Sequence, residues 1–94
     1  MKKQITLEDF KQLSKKQYDK LIVWILNNRY PEELTIGHLI EFLDDKGNYL
    51  LIDYGGVDLG GEKFKWRVEY VESQYNSNEL CNALWDAVKD SLNN

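Results

Sequence analysis

The sequence predicts a single α+β domain in which helices pack on a small antiparallel β-hairpin sheet, in the order α-α-α-β-β-α. Phe64 to Tyr70 alternates apolar and polar residues without interruption, so Phe64, Trp66, Val68 and Tyr70 share one face of a strand and Lys65, Arg67 and Glu69 the other. Four places repeat a helix-start pattern: an apolar residue, a capping residue, then a second apolar residue four positions after the cap, as in a hydrophobic staple. The chain has 94 residues, the size of one domain, with no internal repeat and no linker long enough to divide it.

The four starts are Ile5-Thr6 with Asp9-Phe10, Leu13-Ser14 with Gln17-Tyr18, Leu34-Thr35 with His38-Leu39, and Tyr75-Asn76 with Glu79-Leu80. The first helix spans about 7–12, because Ser14 restarts the count. The second spans about 15–28, with Tyr18, Leu21, Ile22, Ile25 and Leu26 as its apolar stripe and Trp24 nearly opposite. Pro31 closes that segment. The third spans about 36–43. Its run Leu39 to Leu43 followed by Asp44-Asp45-Lys46-Gly47-Asn48 also fits a strand entering a hairpin turn, but the cap and the shared face of Ile36, Leu39, Ile40 and Leu43 favour a helix. Asp45 to Asn48 is then the exit turn, with Gly47 suited to a positive φ.

Tyr49 to Tyr54 reads as a strand with Leu50, Ile52 and Tyr54 on one face. The segment 55–62, with glycine pairs Gly55-Gly56 and Gly60-Gly61, returns the chain to the Phe64–Tyr70 strand. A two-stranded sheet is marginal in water unless helices cover it, a further strand joins it, or its edge pairs across a dimer. Glu72 to Ser77 reads as a polar loop, and the last helix spans about 77–92 with Leu80, Leu84, Ala87 and Val88 as its central stripe, bordered by Cys81, Trp85 and Leu92.

Composition narrows the function classes. The net charge is −4, yet residues 1–30 hold seven Lys/Arg against three Asp/Glu, whereas residues 31–94 hold five against thirteen. An acidic surface argues against direct nucleic-acid binding, which needs clustered cations, and suits a partner with a basic surface. Lys63, Lys65 and Arg67 interleave with Phe64 and Trp66, but alternation sends cations and aromatics to opposite faces, so bases could not stack beside phosphate contacts. The one cysteine, Cys81, excludes an internal disulfide and fits a reducing compartment. No apolar run approaches the ~18 residues of a membrane span, and Gln4-Ile5-Thr6 stands where a signal segment would be apolar, so a cytoplasmic protein is expected.

Chemistry is sparse. His38 and Cys81 are single residues of their kinds, too few for a zinc site in one chain, and read as a surface residue or weak cap and as a small buried hydrophobe. Asp44, Asp45, Asp53 and Asp58 lack the spacing of a calcium loop. The glycine pairs are followed by a strand rather than by the helix that a phosphate cradle requires. The expectation is no catalytic residue, no metal and no cofactor. With three Trp and six Tyr, some aromatics must reach the rim, where they make strong anchors for a protein partner. The candidate partner-binding residues are Trp24, Asp44, Asp45, Asp53, Val57, Asp58, Leu59 and Glu62.

Glu33 to Leu43 and Asn78 to Lys89 resemble segments of small uncharacterised proteins encoded by phages and prophages of Gram-positive bacteria. The resemblance covers about a quarter of the chain, consists of helix-core patterns and implies a mobile-element origin without carrying over any functional residue. Together with small size and acidity it sets the leading expectation. This is an accessory protein that binds and inhibits a host protein, anti-CRISPR or other anti-defence action being the sharpest version. In that version the acidic surface of residues 41–62 occludes a basic groove. The alternative is a homodimer without catalytic activity, joined along hairpin edges or Trp24 surfaces. An enzyme ranks third.

Overall fold

The computed structural model describes residues 4–28, 33–57 and 63–93. In chain order its elements are β1 (Gln4–Ile5), α1 (Leu7–Phe10), α2 (Lys15–Asn28), β2 (Leu34–Thr35), α3 (Ile36–Asp45), β3 (Leu50–Val57), β4 (Lys63–Tyr70), β5 (Ser73–Ser77) and α4 (Leu80–Ser91). The class is α+β with antiparallel sheets, but the expected order α-α-α-β-β-α is incomplete, because β1, β2 and β5 join it. A two-stranded sheet pairs β1 with β2, and a three-stranded sheet runs β3-β4-β5.

Three of the four helix starts form as their residue types dictate. The Thr6 N–H donates to Asp9 Oδ2 at 3.0 Å, and the Ser14 N–H donates to Gln17 Oε1 at 2.8 Å while Gln17 N–H returns a bond to Ser14 Oγ. At α3, the His38 N–H donates to Thr35 Oγ1 at 3.2 Å and the Thr35 N–H donates to His38 Nδ1 at 3.1 Å, a reciprocal cap with imidazole in place of a carboxylate. That cap resolves residues 36–45 as helix, two residues longer than expected, so Asp45 belongs to α3 and the turn begins at Lys46. Gly47 takes φ +77° there. α1 stops at Phe10 rather than Gln12, because Gln12 and Leu13 turn back through short bonds to Asp9 and Phe10.

The fourth start does not exist. Asn76 lies within β5, opposite Arg67, and α4 begins three residues later than expected behind an extended Glu79. The segment expected to be a polar loop is therefore the third strand of the sheet. A two-residue turn, Val71-Glu72, folds it back on β4, with Tyr70 opposite Ser73 and Val68 opposite Tyr75. The polar composition of Ser73-Gln74-Tyr75-Asn76-Ser77 suits an edge strand, most of which is exposed.

The apolar residues that precede the caps of α1 and α3 also make a strand pair unforeseen in the pattern. Ile5 pairs with Leu34 across β1 and β2, and both side chains are completely buried. Two residues read as separate staples thus tie the start of the chain to the start of α3.

The core forms around α4. It packs on β4 and β5 on one side and against α3 on another, burying Cys81, Ala83, Leu84, Trp85, Ala87 and Val88. Leu80, expected at the centre of its stripe, is only half-buried. Phe10 covers the far side, its ring 6.0 Å from that of Trp85. The sheet's inner face follows the expected alternation: Leu50 pairs with Tyr70 and Ile52 with Val68, while Tyr54 pairs with Trp66, their rings edge-to-face at 4.8 Å. Gly55, at φ +83°, breaks the ladder opposite Lys65, so the regular part of β3 is Leu50 to Tyr54.

α2 buries the middle of its expected stripe, with Ile22 packed against the core and the Tyr18 ring 6.2 Å from that of Phe10, but its inward face is rotated toward Trp24. Leu21 and Ile25 are buried, but Tyr18 is 38% and Leu26 70% exposed, and Trp24 packs edge-on against Phe42 at 5.0 Å. The docked face carries Gln17, Lys20, Leu21, Trp24 and Ile25 at helical spacing. Its polar members reach across to neighbours: Gln17 Nε2 donates to the Lys89 carbonyl at 3.0 Å and Lys20 Nζ to the Leu92 carbonyl at 3.3 Å. Those long side chains hide the packing face from a hydrophobicity pattern.

Candidate functional site

α3 forms the wall shared by two surface depressions. On its α2 side, a depression of about 440 Å³ is lined by Trp24, Phe42, Asp45, Lys46 and Val23 among others. On its sheet side, a groove of about 580 Å³ runs between α3 and β3. Ile40, Leu50 and Ile52 form its apolar floor, and Glu41, Asp44 and Tyr49 stand on its rim. Helical geometry explains the division, since Asp44 and Asp45 sit about 100° apart around the helix axis and face different depressions.

The polar groups of the first depression are engaged within the chain. The Trp24 Nε1–H donates to Asp45 Oδ2 at 2.9 Å, and Lys46 Nζ lies 5.3 Å from the Phe42 ring centroid. Trp24, expected off the packing face, is thus half-buried between α2 and α3, and Asp45 is its hydrogen-bond acceptor.

The groove differs. Asp44 is exposed, and its carboxylate has no partner among the described residues. Tyr49 is 77% exposed, on a rim otherwise carried by α3. One wall is β3, an edge of the three-stranded sheet, whose outer side pairs with no other strand among the described residues.

The other candidate residues separate. Asp53 lies on the opposite face of the sheet, where the Arg67 Nη2 donates to its carboxylate and Arg67 Nε lies 3.7 Å from Glu69 Oε1. At 3.7 Å that second contact is electrostatic rather than a hydrogen bond, and Arg67 Nε is otherwise buried without a hydrogen-bond acceptor. Arg67 is therefore neutralised by carboxylates of its own chain, which removes it from any cationic stripe with Lys65. Val57 ends β3 in register with Lys63. Asp58, Leu59 and Glu62 lie outside the described residues.

The two residues with nucleophile or base chemistry have structural places. His38 closes the α3 cap through Nδ1, and Cys81 is completely buried in the core. Among the described residues, no three His, Cys, Asp or Glu side chains group as a metal site, and no helix is long and apolar enough to cross a membrane. Tyr75 is strongly perturbed: burial, then a 2.8 Å bond from its hydroxyl to Asp90 Oδ2, push its phenol up to about 12. That arrangement joins β5 to α4 and holds a proton rather than releasing it.

Ile40, Glu41, Tyr49 and Ile52 were not singled out in the sequence as members of one site. The signal was present in part, as an acidic tract beginning at residue 41, but their convergence depends on how α3 crosses β3. Comparisons with family models, with curated proteins and with solved structures find no match for this chain.

Proposed function

We propose that this chain is a protein-binding module that inhibits a host protein by occluding a basic surface, as a phage or prophage accessory protein of anti-CRISPR or other anti-defence type would. The observation that supports this reading is the groove between α3 and β3, where an apolar floor of Ile40, Leu50 and Ile52 is rimmed by Glu41 and Asp44. An apolar floor supplies affinity through burial, and a carboxylate rim selects cationic partners and speeds their encounter. The engagement of His38 in a cap and the burial of Cys81 favour binding over catalysis.

The test is retention from a lysate of a Gram-positive bacterium by the immobilised chain, with elution in rising salt. The expected result is a retained protein that elutes as salt screens the contact and is not retained by the Glu41→Lys/Asp44→Lys variant. Equal retention by the variant, or no retention at low salt, contradicts the reading. A second reading, a homodimer joined along β3, draws on the same unpaired edge, and light scattering over a range of concentrations separates the two.

A further inference from the structure

We infer that the partner contributes an extended segment that adds as a fourth strand to the outer edge of β3, setting apolar side chains into the groove and, from positions of that same face, lysines or arginines against Glu41 and Asp44. This deepens the protein-binding reading above and rests on it.

The first support is the character of the edge. Sheet edges are ordinarily blunted by lysine, proline, bulges or short length, because their outward N–H and C=O groups template further pairing. β5, the other edge, is only five residues long, four of them Ser, Gln or Asn. β3 is eight residues long and contains neither lysine nor proline. Its only charge, Asp53, is bonded to Arg67 on the far face. Its regular part, Leu50 to Tyr54, is therefore a pairing surface without a guard among the described residues.

The second support is the position of the groove. An added strand would lie about 4.8 Å from β3, and every second side chain would point to the same face as Leu50 and Ile52. That face is where α3 stands back from the sheet edge to leave the groove, so those side chains meet Ile40 and Ile52 rather than solvent.

Charge selects the occupant. Glu41 and Asp44 stand where an incoming strand would pass, and the Asp44 carboxylate has no partner among the described residues. A basic segment complements them. A second copy of this chain brings the same acidic rim rather than the cations that complement it.

A lysine–valine peptide, Lys-Thr-Val-Thr-Val-Thr-Lys, which sets its valines and lysines on one face of a strand, is the probe, together with two versions N-methylated at alternate residues in the two possible phases. In a strand, one phase carries the N–H groups that bond β3 and the other carries those that face away. The expected result is salt-sensitive binding of the parent peptide, with one methylated phase weakened about tenfold or more and the other unchanged, from the loss of two or three backbone bonds. If both phases bind like the parent while Glu41→Lys/Asp44→Lys still abolishes binding, strand addition is overturned and the groove reading stands. If the parent does not bind, or binds the charge-reversed variant equally well, both are overturned. Dimerisation of the free chain through β3 overturns the choice of occupant.

Discussion

The Tyr70 hydroxyl donates to the backbone carbonyl of Leu43 at 3.1 Å, inside the core, and so joins the middle strand of the sheet to the last turn of α3. Asn48 Nδ2 in turn donates to the same Tyr70 oxygen at 3.3 Å, just before β3 begins. One phenol therefore fixes α3, β4 and the entry to β3 together, and with them the width of the groove. Tyr70→Phe keeps the buried ring but removes the bond. It is expected to cost about 1 kcal/mol in urea unfolding, the lower part of the range because the Leu43 carbonyl keeps a bond from the Lys46 N–H. An unchanged midpoint would show that the bond does not hold α3 to the sheet.

Val71 occupies the first position of the β4–β5 turn at φ +59°. A β-branched side chain is strained there, at a position where two-residue hairpin loops of the II′ kind favour glycine. Val71 is 63% exposed, so its removal forfeits little packing. Val71→Gly is expected to stabilise the protein by about 1 kcal/mol, relief of strain outweighing the greater freedom of the unfolded chain. A lower urea midpoint would contradict the turn geometry.

The same turn explains what was legible in the sequence. Strong alternation marked β4, and three caps marked the helices, because both signals are local. β5 was not legible: its one large apolar residue, Tyr75, sits among Ser, Gln and Asn, and a valine occupies the turn position where a glycine would have announced a hairpin. Asn76 with Glu79 then imitated a helix start. β1 and β2 escaped because a two-residue pair carries no period. Leu21, Ile22 and Ile25 of α2 were legible as core, whereas the docking of Trp24 was not, because Gln17 and Lys20 beside it dock through their polar ends. Of the candidate site, Asp44 was marked by residue type, while Ile40, Leu50 and Ile52 were marked only as core, since a groove exists through the packing of α3 beside β3.

Tyr75 gives a pH dependence with a definite sign. Its phenol ionises near the ordinary 10.0 when unfolded and at about 12 when folded, because burial and the Asp90 bond favour the neutral form. The unfolded state thus loses its proton first as pH rises. The stability contributed by Tyr75 is intact below pH 10 and is lost progressively from pH 10 through 12. Urea midpoints measured across that window are expected to fall less steeply for Tyr75→Phe than for the parent, and parallel curves would contradict the assignment.

Cys81, completely buried in the central helix, offers a probe of global opening. Its thiol is expected to react with Ellman's reagent only at the rate at which α4 is exposed by unfolding, and rapidly in denaturing urea. Fast reaction under native conditions would show that α4 is not the centre of the core.

The central claim, that β3 and its groove receive a basic strand, is tested most directly by amide hydrogen exchange with and without the lysine–valine peptide. Slowed exchange at alternate amides of Leu50 to Tyr54, with β5 unchanged, is the result expected. Protection confined to β5 or to α2, or none at all despite measurable binding, would contradict it.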